Sequence, residues 1–181
     1  MSGSGIRSVA SVLTRVEMCA VLLTAALFAA PVRAEDRLET LRVEFHNQSD
    51  AVKRAKLFPK LGDALMAEMR KLESAHQYDP VAPLFLEYRD SAAQAYNGLV
   101  ASGRDAEKHP GGFRELEMYL RRSLHPLDEL VFGLPFTDRE ALRGPQKDIE
   151  DLDDKLVKAL FPRGSDSHKT PPSAPQTHPP I

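Results

Sequence analysis

Apolar side chains recur every three or four positions in two consecutive stretches of the chain, residues 51–75 and 80–100. This spacing places them on one face of an α-helix, whereas a strand would need alternation at every second position. The link, residues 76–78, is short enough to make the two helices antiparallel neighbours with their apolar faces together. The apolar positions are Val52, Ala55, Phe58, Leu61, Leu65, Met69 and Leu72, followed by Val81, Leu84, Phe85, Tyr88, Ala92, Ala95, Tyr96 and Leu99.

Three further segments have the same helical spacing, within residues 35–48, 113–131 and 149–160. No segment alternates apolar and polar residues over the length that a strand needs. The sequence therefore predicts an all-α fold, an antiparallel helical bundle of four or five helices. The apolar positions of these segments are Leu38, Leu41 and Phe45, then Phe113, Leu116, Leu120, Leu124, Leu127 and Val131, then Ile149, Leu152, Leu156 and Leu160.

Several helix ends are also predicted by local signals. Asp50 and Asp79 each precede a helical stretch and have the side-chain oxygen that an N-cap requires. Thr137 and Glu140 have the spacing of a capping box, in which each side chain satisfies a free backbone N–H group. Gly144-Pro145 predicts a break in the last helical region, because proline cannot donate a hydrogen bond within a helix.

The N-terminal segment has the pattern of a secretory signal peptide. Arg7 and Arg15 supply positive charge, residues 18–30 are apolar except for one threonine, and small residues precede a cleavage point after Ala34. The apolar run is shorter than the roughly 20 residues that span a bilayer, so cleavage is favoured over retention as an anchor. We therefore expect residues 1–34 to be a signal peptide and the protein to be exported to the periplasm or the extracellular space, with no stable membrane span after cleavage.

The C-terminal segment differs in composition from the helical region. Proline, serine, threonine and histidine dominate residues 162–181, and few apolar side chains are present to bury. Such a segment gains too little from burial to offset its ordering entropy. The predicted organisation is a signal peptide (1–34), a helical bundle domain (35–161) and a disordered proline-rich tail (162–181).

Cysteine content and charge exclude several classes of function. The single cysteine, Cys19, lies in the predicted signal peptide, so the mature chain has no disulfide, cysteine nucleophile or thiolate metal site. The formal net charge is −2 at pH 7, and the signal peptide removes more positive than negative charge. This balance gives no basis for nucleic-acid binding. No cofactor-binding motif is present either.

Two pairs of residues suggest alternative chemistry. Glu73-x-x-His76 matches half of a di-iron carboxylate motif, but no second copy supplies the remaining ligands. His125 and Asp128 lie one helical turn apart, where a carboxylate could orient a general base. No nucleophile is associated with them by a motif. A weak metal site at the first pair and a hydrolase-type enzyme at the second remain as alternatives.

Two charged groups also have an ordinary explanation as solvated helix faces. One group is acidic. The other group is basic and could alternatively bind an anionic lipid or polymer. The acidic group is Asp148, Glu150, Asp151, Asp153 and Asp154, and the basic group is Lys53, Arg54, Lys56 and Lys60 with Arg121 and Arg122.

The leading functional hypothesis is a non-catalytic binding module of the cell envelope. It would hold a partner protein, a peptide or another envelope component in an apolar groove beside Phe58, Phe85 and Tyr88. Export, helical periodicity and the lack of an assembled catalytic motif support this hypothesis. The alternatives are a metal-handling or stress-sensing bundle and an enzyme that uses His125 and Asp128.

Overall fold

The computed structural model describes residues 30–162, with side chains from residue 36 onward. These residues form five α-helices and no strand, which confirms the predicted all-α class for this part of the chain. The predicted tail from residue 163 onward, and all but the last residues of the predicted signal peptide, lie outside the described residues. The helices are α1 (Ala30–Asn47), α2 (Ala51–Ser74), α3 (Val81–Ala101), α4 (Phe113–Gly133) and α5 (Phe136–Leu160).

The chain divides into two compact units after Val43. The first unit contains most of α1, which has local contacts along its own axis. The Thr40 hydroxyl donates to the carbonyl of Asp36 at 2.8 Å, and Arg42 pairs with Glu39 at 3.4 Å. The second unit begins with the end of α1 and contains α2 to α5.

Helices α2 to α5 form a four-helix bundle with each helix at one corner. Helix α2 packs against α3 and α4, and α5 packs against the same two helices. Helices α3 and α4 also meet across the diagonal. The connection of residues 102–112 therefore crosses the end of the bundle instead of joining adjacent corners.

This crossing makes two of the neighbouring pairs parallel. Contacts between α2 and α4 rise together in sequence, as the pairs Lys56–Glu115, Asp63–Tyr119 and Arg70–Glu129 demonstrate. Helices adjacent in sequence remain antiparallel, as expected for short connections. The predicted antiparallel bundle thus needs a refinement, because apolar periodicity does not specify which corner a helix occupies. None of the helices in residues 30–162 combines the length and apolar composition needed to cross a bilayer.

The predicted helix ends are partly confirmed. The backbone N–H of Lys53 donates to the Asp50 carboxylate at 2.9 Å, as expected for an N-cap. Helix α3 begins one position later than predicted, after Pro80, and has no side-chain cap. The prediction of Asp79 as the N-cap is therefore wrong.

Helix α5 differs from its prediction at two points. It begins at Phe136 directly after Pro135, with no side-chain cap, so the predicted Thr137 capping box is wrong. Only Leu134 and Pro135 separate α4 from α5, and Leu134 is buried. Helix α5 therefore already includes Thr137, which cannot cap it. The predicted break at Gly144-Pro145 is also wrong, because α5 continues through it. Leu142 and Ile149 are buried on either side of Pro145, and this shared packing offsets the hydrogen bond that proline removes.

An aromatic cluster forms the centre of the second unit. Phe58 lies 5.3 Å from Tyr88, 5.4 Å from Tyr119 and 6.4 Å from Phe45, measured between ring centroids. The first two contacts are edge-to-face, the arrangement that aromatic quadrupoles favour. The cluster joins α2, α3 and α4 with the end of α1.

The hydroxyl groups in this cluster have partners. Ser123 donates to the carbonyl of Leu120 at 2.8 Å, which leaves its oxygen to accept from the Tyr88 hydroxyl at 2.7 Å. The Tyr119 hydroxyl donates to Asp63 at 3.0 Å. Burial raises the pKa of both Tyr88 and Tyr119, so both phenols stay protonated donors.

Candidate functional site

A cleft of about 530 Å³ lies at one end of the bundle. Three elements form it: the connection between α3 and α4, the first half of α4, and the end of α5. Its size is within the range of small-ligand sites, and its lining mixes apolar and charged side chains as such sites do. The lining residues are Ala106, Glu107, Pro110, Arg114, Glu117, Met118, Arg121, Leu160 and Phe161.

Local hydrogen bonds hold the connecting wall of the cleft. The Asp105 carboxylate accepts from the backbone N–H groups of Glu107 at 3.0 Å and Lys108 at 3.3 Å. The backbone N–H of Lys108 is the main reason that the pKa of Asp105 lies below its usual value. These bonds form a turn that presents Ala106 and Pro110 to the cleft without any helix or strand.

Gly112 ends this wall in a conformation that other residues rarely adopt. Its φ is 90°, and a Cβ atom there would lie 2.7 Å from a methyl group of Leu99. Its N–H donates to the Glu115 carboxylate at 2.6 Å, which anchors the start of α4. The first turn of α4 is thereby positioned against α3. The residues of α4 that line the cleft come directly after this point in the sequence.

The apolar part of the cleft is unusually exposed. Met118 retains 58 % of its accessible surface and Phe161 retains 63 %, whereas the neighbouring Leu160 is buried. Methionine is unbranched and adapts to differently shaped ligands. Two large exposed apolar side chains beside one concavity mark a candidate contact surface.

A charged cluster that contains two buried acids lies beside this apolar surface. Glu117 and Asp153, on facing helices, are only 6 % and 8 % exposed. The Arg121 guanidinium lies 2.5 Å from Glu117 Oε1 and 3.9 Å from Asp153 Oδ2. The Arg121 guanidinium is thus shared by two carboxylates, and its positive charge offsets that of Glu117, the closer one, more fully than that of Asp153.

Asp153 is the less satisfied of the two acids. Its Oδ1 atom is buried and has no hydrogen-bond partner. Burial raises its pKa, and the nearby charges of Glu117 and Asp154 act in the same direction, while Arg121 opposes them. A buried carboxylate with a raised pKa and an unpartnered oxygen beside a cleft is a recognised indicator of a functional site.

Sequence reasoning missed this cluster. The sequence pattern places Asp153 on a solvated acidic face, and this prediction is wrong because its side chain is buried next to Leu152 and Leu156 in the apolar stripe of α5. Glu117 likewise follows Leu116 in the stripe of α4. The available signal was an acidic residue at an apolar position on each of two helices. The other members of the acidic group, from Asp148 to Asp154, are exposed or half-buried.

Asp153→Asn is expected to stabilise the protein at neutral pH by about 1 kcal/mol, because it removes an incompletely paired buried charge. The folded-state pKa of Asp153 lies above its ordinary value, so the wild type loses stability as pH rises from that value through the folded pKa. The gain should therefore be present at about pH 7 and absent at about pH 3, where the carboxyl is protonated in both states. Thermal unfolding across this range measures it.

Asp154→Asn is the matched control, because it makes the same charge change at the exposed neighbouring position. A similar gain in both variants, or a gain for Asp153→Asn that does not change with pH, would contradict the burial of an ionised carboxylate at position 153.

The predicted groove residues lie elsewhere. Phe58, Phe85 and Tyr88 have no exposed surface at all. They pack in the interior, so the expectation of a groove lined by these rings is corrected to a core position. Their regular spacing identifies a buried face but does not distinguish a core from an open groove, because both require apolar side chains.

The structure does not assemble a metal site at Glu73 and His76. Helix α2 ends at Ser74, so His76 lies beyond it with a φ of 57°, and its ring lies beside Tyr78. The Glu73 carboxylate packs against Gly133 of α4 instead. No group of three or more potential His, Cys, Asp or Glu ligands occurs anywhere in the described range.

His125 and Asp128 have separate partners. His125 has an exposed side chain and lies 3.3 Å from Glu129, and Asp128 accepts a hydrogen bond from Gln146. The proposed orientation of the imidazole by Asp128 is therefore not formed. The catalytic alternative loses its geometric basis at these two positions.

The basic residues do not form a single patch. Lys56 pairs with Glu115 at 3.4 Å, Arg54 donates to the carbonyl of Gln48, and Arg122 lies over the Tyr119 ring at 5.4 Å. Arg121 has an exposed side chain and pairs with the buried acids described above. These side chains serve intramolecular contacts on several faces.

Comparison with protein-family models, curated proteins and solved structures finds no match to this chain.

Proposed function

We propose that this protein is a non-catalytic binding module of the cell envelope, and that it holds an apolar ligand in the cleft between α4, α5 and the connection preceding α4. The observation that carries the proposal is the position of Met118 and Phe161, whose exposed side chains border the same cleft as the ion pair between buried Glu117 and solvent-exposed Arg121. Binding sites commonly combine an apolar surface with a few fixed polar groups.

Burial of the exposed apolar surface supplies the driving force for binding. Met118 lies on α4 and Phe161 follows the end of α5, so a ligand between them would contact two separate walls. Covering these side chains removes apolar surface from water, which is favourable by roughly 25 cal/mol per Å². The ion pair at Arg121 is held before any ligand arrives, so its ordering adds little to the cost of binding.

The cellular location in the proposal comes from the N-terminal pattern. A positive segment, an apolar run and small residues before position 35 are typical of export signals. An exported binding module would meet its ligand in the envelope or outside the cell.

The test uses the full chain and Nile red, a neutral apolar dye whose fluorescence rises on burial. We expect saturable binding that Met118→Ser weakens about fivefold, because the variant removes part of the apolar contact surface. Fluorescence titration gives the dissociation constant for each variant.

Phe132→Ser is the matched control. Phe132 is more exposed than Met118 but lies in the last turn of α4, outside the cleft. Equal weakening by both variants, or binding that depends on Phe132 alone, would show that the dye follows exposed apolar surface in general, and the cleft would then be rejected as the binding site.

A further inference from the structure

The charges in the cleft restrict the chemistry of its ligand. Building on the proposed function, we infer that the cleft takes a monocarboxylate with an unbranched apolar chain, whose carboxylate binds Arg114. Arg114 lies beside the apolar residues of the lining, and the other charged groups of the lining already have partners.

Arg114 is the cation of the lining that is left without a carboxylate. Arg121 is occupied by Glu117 at 2.5 Å and faces Asp153 as well. Glu107, the remaining acid of the lining, also has a partner. None of the ion pairs between described side chains of residues 36–162 includes Arg114, whose side chain is exposed. A ligand anion would therefore complete the charge pairing of the cleft.

Helix geometry places this cation beside the apolar surface. Arg114 and Met118 are four residues apart on α4, so their side chains are neighbours on one face. Leu160 and Phe161 form the opposite wall. A ligand that contacts both Arg114 and the apolar side chains needs an anionic group directly attached to an apolar chain.

The acids of the cluster favour a single negative charge on that ligand. Glu117 and Asp153 lie on the same side of the bundle as the cleft, and both are poorly screened because they are buried. A doubly charged phosphate would meet stronger repulsion from them than a carboxylate would. The planar guanidinium also matches a carboxylate through two parallel hydrogen bonds.

The apolar wall favours a hydrocarbon chain over a peptide. Ala106, Pro110 and Met118 offer no side-chain hydrogen-bonding group of the kind that a peptide backbone needs. Peptide amides buried there without partners would reduce the affinity, whereas methylene groups would not.

The test measures binding of octanoate, 1-octanol and octyltrimethylammonium to the full chain, read from the ε-methyl NMR signal of Met118. Buried Met69 serves as the internal reference. We expect octanoate to bind about tenfold more tightly than 1-octanol, since a charge-assisted hydrogen bond to Arg114 is added. Arg114→Gln should remove this difference and leave the affinity for 1-octanol unchanged.

Arg122→Gln is the matched control, because it removes the same charge from α4 but its side chain lies over Tyr119 outside the cleft. Equal affinities for octanoate and 1-octanol, tighter binding of the cation, or an equal loss in both variants would overturn the inference. Any of these results leaves the proposed function intact if Nile red still binds beside Met118. Loss of both dye and octanol binding would instead reject the cleft itself.

Discussion

Replacing Phe58 by alanine is expected to lower the free energy of unfolding by about 3–5 kcal/mol, the largest effect expected of any single substitution considered. Phe58 has no exposed surface and contacts aromatic rings from three other segments, those of Phe45, Tyr88 and Tyr119. Its removal leaves a cavity that helices fixed by other contacts fill only in part. Chemical unfolding followed by far-ultraviolet circular dichroism measures the loss, since the chain has no tryptophan.

Phe136→Ala is the matched control for this substitution. Phe136 is 69 % exposed at the start of α5, so its truncation is expected to change stability by no more than about 0.5 kcal/mol. If the two variants unfold at similar denaturant concentrations, the aromatic cluster is not the centre of the core.

The second large effect concerns two glycines, at which replacement by alanine is expected to change the stability in opposite directions. Gly62→Ala is expected to destabilise the bundle by about 1–3 kcal/mol, because the new Cβ would lie 2.5 Å from the Tyr119 hydroxyl oxygen and 2.9 Å from its ring. That ring has little freedom to move, since it contacts Phe58 and its hydroxyl donates to Asp63. Overpacking of this kind should appear as a lower melting temperature.

Gly98→Ala should have the opposite effect. Its Cβ would lie 3.7 Å from the Ala51 Cβ, an ordinary contact, within the interior of α3. Alanine restricts the unfolded chain more than glycine does, so stability should rise by about 0.5–1 kcal/mol. A melting temperature that rises for both variants would mean that Tyr119 does not pack tightly against α2, whereas one that falls for both would contradict the space seen around Gly98.

These two experiments concern the scaffold that holds the cleft. Tyr119 is adjacent in sequence to Met118 and lies between Glu117 and Arg121 on α4. Its inward contacts with Phe58 and Gly62 set the rotation of α4 about its own axis. That rotation directs Met118 outward and places Glu117 and Arg121 beside α5.

Several features of this arrangement were predictable from local patterns. The stripe from Phe113 to Val131 predicts which face of α4 is buried, because the helical repeat alone sets that face. Asp50 predicts its own capping bond, since the interaction spans only three residues. By contrast, Pro145 predicts a break that packing on both sides of it overrides.

Less of the candidate site could be predicted from local sequence patterns. Apolar spacing marks Phe58, Phe85 and Tyr88 as one face but does not reveal that other helices cover that face completely. The ion pair of Glu117 with Arg121 follows from their four-residue spacing, but the approach of Asp153 depends on where α5 packs.

The sequence by itself determined the helices, their buried faces and the export-type pattern at the N-terminus, because each depends on residues within a few positions of one another. The tertiary structure alone decided that α3 and α4 meet across the diagonal and that Arg114 and Met118 share a cleft with Leu160 and Phe161. The physical reason is that helix periodicity specifies what must be buried but not which partner covers it. The cleft lies where no other helix of the described residues covers Met118 and Phe161.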